Sequence, residues 1–145
     1  MLVFGSSIGE GNYSHPQGEI IWLEKPINSN LLLGLLSQSD VSATGLNLEA
    51  DTSGKLPKGA KAVYVSARVN DSGSAGADCY LFLRTGATQI YQFVISPYGL
   101  ANDSSARFSG WQACDSNGDF DYQIEATGAN TFDIADFRYT AVQLR

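Results

Sequence analysis

The fold this sequence predicts is an all-β domain: an antiparallel two-sheet sandwich, jelly-roll-like, with an extended N-terminal arm. Three observations predict it. Short runs alternate apolar and polar residues with period two, as in Val63, Val65, Ala67 and Val69 against Tyr64, Ser66 and Arg68. Turn clusters such as Asn70-Asp71-Ser72-Gly73 punctuate those runs. Charged residues make up only 17% of a chain that is 43% hydrophobic and holds 15 glycines, too few for the solvated faces of helices. A length of 145 residues fits one domain with a full core. The expected division is an arm over 1–18 and a single β-sandwich domain over 19–145.

The arm carries four glycines and no periodicity, yet its Leu2, Val3, Phe4 and Ile8 are apolar. Such residues pack either on their own domain or on a neighbour, and are the candidate partner-binding set. Glu19 to Leu23 reads as a short strand ended by Lys25-Pro26. Leu31 to Leu36 is an apolar run too short to assign to strand or helical turn. Val41 to Ala50 places Leu46 and Leu48 on one face of a half-buried strand, and 51–61 reads as a loop. Cys79, Leu81 and Leu83 alternate with Tyr80, Phe82 and Arg84, and Ile90 to Ile95 forms the next strand. After a polar connection, Trp111 begins another. Asn117-Gly118 predicts a type I′ hairpin turn before the strand containing Phe120, Tyr122 and Ile124. Phe132 to Leu144 is a long last strand. Phe137, Tyr139 and Ala141 alternate there, and Ile134 to Phe137 breaks the period by one, the mark of a bulge. No helix of ten residues is supported.

The net charge of −6 disfavours nucleic acid, whose phosphates repel an acidic chain, and the nine basic residues are scattered along the sequence. No segment approaches the roughly 20 apolar residues of a membrane span. The first residues lack a basic region and a long apolar stretch, so folding in a cytoplasm is expected. Two cysteines, Cys79 and Cys114, are too few and too far apart for a zinc site. They read as small buried hydrophobes or as a disulfide between neighbouring strands.

No catalytic constellation stands out, and the chain is expected not to be an enzyme. The single histidine, His15, lies in the arm, a poor place for a general base. Carboxylates cluster at Asp115, Asp119 and Asp121, at a solvated turn and not in a cleft. Asp133 and Asp136 sit in an apolar strand, where an outward-facing position is the simpler reading. The spacing of Asp115, Asn117, Asp119 and Asp121 resembles part of a calcium loop, but Ala126 stands where the bidentate Glu belongs. No metal and no cofactor is therefore expected. Trp22, Tyr91, Tyr98 and Trp111 are candidates for stacking on sugar rings, against the plainer alternative of core or interface residues.

The stretch from Ala60 to Arg84 (AKAVYVSARVNDSGSAGADCYLFLR), with Trp111 to Leu144, resembles strand-rich domains in virion proteins of tailed bacteriophages, including capsid decoration (cement) proteins and fibre-associated domains. The resemblance covers about the C-terminal two-thirds and rests on alternating strands, NDSG and DSNG turns and low charge. It implies a virion structural protein assembled in the host cytoplasm. It further implies a homotrimer seated over junctions of the major capsid protein, its arm clasping a neighbour. The alternative is a carbohydrate- or receptor-binding domain of a fibre or a secreted protein.

Overall fold

The computed structural model describes residues 2–3, 18–33, 35–38, 41–71, 79–86, 92–96, 104–126 and 132–145. Among the described residues ten strands form: β1 (Leu2–Val3), β2 (Ile20–Asn28), β3 (Leu35–Gln38), β4 (Val41–Asn47), β5 (Ala62–Asp71), β6 (Tyr80–Arg84), β7 (Phe93–Ile95), β8 (Ser105–Ala113), β9 (Asp119–Glu125) and β10 (Phe132–Gln143). One helical turn, α1 (Leu48–Asp51), follows β4. The larger sheet has the order β1-β2-β10-β5-β8, with β3 also on β10; the smaller has the order β4-β9-β6-β7. Every pairing among these strands is antiparallel. The all-β sandwich is therefore the architecture of this chain. No helix among the described residues is long and apolar enough to cross a membrane.

The core lies between the sheets. Val63, Val65, Ala67 and Val69 of β5 face Leu81, Leu83, Phe120 and Ile124 of the smaller sheet within one buried cluster. Period-two burial along β9 and β6 follows from strand geometry, since successive side chains point to opposite faces.

Several local expectations are revised. Residues 48–50 are helical, not strand: the Asn47 side chain accepts a hydrogen bond from the Ala50 amide at 2.8 Å and caps the turn. Strand β2 runs through Lys25-Pro26. Its register with β10 jumps from Trp22 to Ile27, so Pro26, which has no N–H to donate, lies where no ladder partner is needed. The Asn117-Gly118 turn is not type I′, because only Gly118 has positive φ (+86°). Gly118 N donates to Asp115 O (3.0 Å) and Asp115 N to Asp119 O (2.8 Å), the pattern of a three-residue loop closed by a left-handed glycine. Moreover, β8 and β9 belong to different sheets, so this turn crosses the sandwich.

Strand β10 carries two bulges. The first, at Ile134/Asp136, is the one the broken period predicts; the second, at Tyr139/Ala141, also interrupts the expected Phe137–Tyr139–Ala141 alternation. Each inserts one residue and inverts the parity beyond it. Ile134, Phe137, Tyr139 and Val142 thus face the core, while Asp136, Arg138 and Ala141 face outward.

Candidate functional site

The outward face of the larger sheet holds three rows of side chains, each set by register. In the first, Trp22, Ala141, Tyr64 and Trp111 lie side by side across β2, β10, β5 and β8. Trp22 and Tyr64 flank Ala141, so their backbones stand about 10 Å apart, two strand spacings. Their ring centroids are only 5.4 Å apart. The rings therefore lean together over Ala141, which is fully buried although it is no part of the core cluster. Tyr64 meets Trp111 edge-on at 5.4 Å, and Trp22 meets Trp111 at 6.2 Å. Trp22 remains 52% exposed, with Ile20 beside it also exposed. The result is an aromatic platform outside the core.

The second row is polar: Asn28, Arg138, Ser66 and Ser109. The third is charged: Asp136, Arg68 and Arg107. Asp136 is outward-facing yet buried, because arginines cover it. Its Oδ1 accepts from Arg138 Nε at 3.0 Å and its Oδ2 from Arg138 Nη2 at 2.6 Å. Arg107 Nη1 reaches the same Oδ2 at 3.5 Å. These residues, with Asn28, Leu33 and Ala135, line a polar depression of about 390 Å³. Along β5, Tyr64 and Arg68 are four residues apart, so the aromatic and charged rows are about 13 Å apart.

Sequence reasoning names Trp22 and Trp111, and the structure brings them together. Tyr64 escapes it because Tyr64 reads as an ordinary outward member of an alternating strand. The basic residues look scattered, but Arg68, Arg107 and Arg138 converge. No local signal marks either, since each depends on pairing between strands far apart in the chain, from Arg68 with Arg107 to Trp22 with Ala141. Tyr91 and Tyr98 lie outside the described residues, as do Phe4, Ile8 and His15. Leu2 and Val3 pair with Leu23 and Trp22, extending the edge of their own sheet beside the platform.

The turn at 115–119 uses its acidic residues locally. Asp115 Oδ1 accepts from the amides of Asn117 (2.8 Å) and Asp119 (3.0 Å), and Asp121 stands 3.8 Å from Arg84. Partial burial, then the charge of Asp115, hold the Asp119 carboxyl above its ordinary range. Among the described residues, no group of three or more His, Cys, Asp or Glu side chains is placed to hold a metal ion. Cys79 and Cys114 are both buried and are not joined by a disulfide. A second hollow, of about 330 Å³ and bordered by Leu31, Gly45, Leu46 and Asp51, abuts a carboxyl already engaged: Asp51 accepts from Leu31 N and from the Tyr139 hydroxyl, each at 2.7 Å.

Comparison with protein-family models, with curated proteins and with solved structures returns no match to this chain.

Proposed function

We propose that this chain is a non-catalytic recognition domain, carried on a virion, that binds carbohydrate through the outward face of its larger sheet. The observation that carries the reading is the platform of Trp22, Tyr64 and Trp111, which packs outside the core and keeps Trp22 half exposed. The three rings are inclined to one another by 53° to 84°, so it is the half-exposed Trp22, beside a row of hydroxyl and amide groups, that offers a face to a sugar ring, which presents an apolar face and a polar rim. Strand order supports reading the sandwich as a jelly roll. With the short β1 and β3 set aside, the remaining eight strands run 1-8-3-6 and 2-7-4-5, the order a double Greek key generates. The expected result is saturable binding of an oligosaccharide by titration calorimetry, weakened about tenfold or more in Trp22→Ala. Unchanged affinity in that variant, or no binding across a broad neutral and acidic glycan panel, would sink the reading.

A second reading is capsid decoration, as a trimer on the major capsid protein. It is favoured by one observation: Leu2–Val3 extend the sheet at the edge where Ile20 and Trp22 are exposed, giving an apolar margin suited to a permanent interface. Light scattering tests it. A stable trimer that dissociates in the Leu2→Asp/Val3→Asp variant supports it, and a monomer in both proteins refutes it.

A further inference from the structure

We propose that the depression formed by Arg68, Arg107 and Arg138 around Asp136 binds the carboxylate or sulfate group of an acidic saccharide lying across this face. The inference deepens the carbohydrate reading and rests on it.

A simpler role for the arginines is to neutralise Asp136, and the geometry shows why one arginine suffices for that. Arg138 alone grips both carboxylate oxygens, at 3.0 and 2.6 Å. Arg107 touches the same group only loosely, at 3.5 Å, and its side chain stays 58% exposed. Arg68 is the direct cross-strand neighbour of Asp136, yet among the described residues it makes no ion pair. Three cations thus surround one anion, in a chain whose net charge is −6. Arg68 and Arg107 are also directly opposite in the β5–β8 register. Like charges in that position destabilise a sheet, and Asp136, already held by Arg138, offsets this only in part. The guanidinium fork matches the planar carboxylate and the tetrahedral sulfate alike, through paired N–H donors.

The rest of the face decides what carries the anion. The charged row is separated from the aromatic platform by about 13 Å. The polar residues Ser66, Ser109 and Asn28 fill the interval. A ligand spanning the three rows stacks at one end, shares hydrogen bonds in the middle and presents negative charge at the other. An acidic oligosaccharide has that sequence of chemistries. Because the protein as a whole repels polyanions, the local positive field would also set the register of binding.

Titration calorimetry of the full chain tests this with an oligogalacturonate, a sulfated galactose oligomer, the neutral galactose oligomer and a polyglutamate peptide. The acidic sugars should bind at least about tenfold more tightly than the neutral one, with a preference that shrinks as salt rises. Comparing the two acidic sugars tells carboxylate from sulfate. Arg68→Gln and Arg107→Gln should erase the preference for acidic over neutral sugar, while Trp22→Ala weakens all sugars. Equal affinity for acidic and neutral sugars, or a preference that survives Arg68→Gln, overturns the proposal. Polyglutamate binding as tightly as the sugars would also overturn it, assigning the pocket to an acidic protein partner. A separate titration with sodium sulfate, read on the arginine side-chain signals by NMR, isolates the pocket. If Arg68 and Arg107 shift but no sugar binds, the carbohydrate reading fails and the anion site stands. If neither moves, the anion site itself is wrong.

Discussion

Replacing Tyr139 by Phe removes a buried hydroxyl that bonds the Asp51 carboxyl and also interacts with Ser29. The Tyr139 hydroxyl donates to Asp51 Oδ2 at 2.7 Å, and both side chains are buried. The other Asp51 oxygen accepts from Leu31 N at 2.7 Å, so this carboxyl ties α1 and the turn at 30–33 to the central strand of the larger sheet. The substitution keeps the ring and leaves almost no cavity. Its cost is the loss of the bond together with a buried, unpaired carboxylate oxygen. Bonds to charged groups are worth about 1.5–3 kcal/mol, so a loss of about 2 kcal/mol is expected. For a domain of this size that lowers Tm by about 6 °C. Urea denaturation should show a lower midpoint with an unchanged slope. A double-mutant cycle with Asp51→Asn should give a coupling energy above about 1 kcal/mol. A change within about 0.5 kcal/mol in Tyr139→Phe would refute the reasoning, because it would mean that water or another donor reaches Asp51 at no cost.

Other outcomes follow from the same structure. Gly118→Ala should cost at least about 2 kcal/mol by chemical denaturation, since φ is +86° and an added Cβ would stand 2.6 Å from Gly59 N. Asn47→Ala should cost about 1 kcal/mol by the same assay, through loss of the cap on α1. Stability should also fall at alkaline pH. Burial, reinforced by Asp115 and Asp119, pushes the Cys114 thiol from 9.0 up to about 12. The unfolded chain therefore releases that proton first, and the contribution, complete below pH 9, is lost at about 1.4 kcal/mol per pH unit as the pH rises toward 12. Burial, then the Asp51 charge, raises Tyr139 well above 10 and adds to the loss at higher pH. Cys114→Ala should flatten the curve above pH 9; an identical slope would contradict the assignment.

The sequence reveals this fold where one strand's own pattern carries the information. Alternation in 63–69 and 119–125 marks which residues enter the core, and the broken period at Ile134–Phe137 marks a real bulge. It fails where the determinant lies elsewhere in the chain. The turn after β8 looks like a hairpin because Asn117-Gly118 fixes the local reversal, but only the partner strands decide that β9 joins the other sheet. Pro26 looks like a strand end, yet the register gap opposite Thr140 lets β2 pass through it. The Leu46–Leu48 pair is apolar in strand or helix, and the capping side chain of Asn47 tips residues 48–51 to the latter. The aromatic platform is half legible, through Trp22 and Trp111. The arginine cluster is not legible, since no stretch of sequence places 68, 107 and 138 in adjacent rows.

The bulges link that hidden site to the fold. In an uninterrupted β10, Ile134 and Asp136 would share a face, and so would Tyr139 and Ala141. A strand that delivers Ile134, Phe137, Tyr139 and Val142 to the core could not then present Asp136 and Ala141 outward. The extra residues, Ala135 and Thr140, invert the parity twice. The first inversion sets Asp136 in the row of Arg68 and Arg107. The second sets Ala141, the smallest side chain in its row, beneath Trp22 and Tyr64, where a larger residue would hold the two rings apart. Both irregularities cost ladder hydrogen bonds in the most central strand of the sheet, where regular pairing would be most stabilising. Their combined effect keeps Ile134, Phe137, Tyr139 and Val142 in the core and places Asp136 and Ala141 on the one face that bears the aromatic cluster and the arginines.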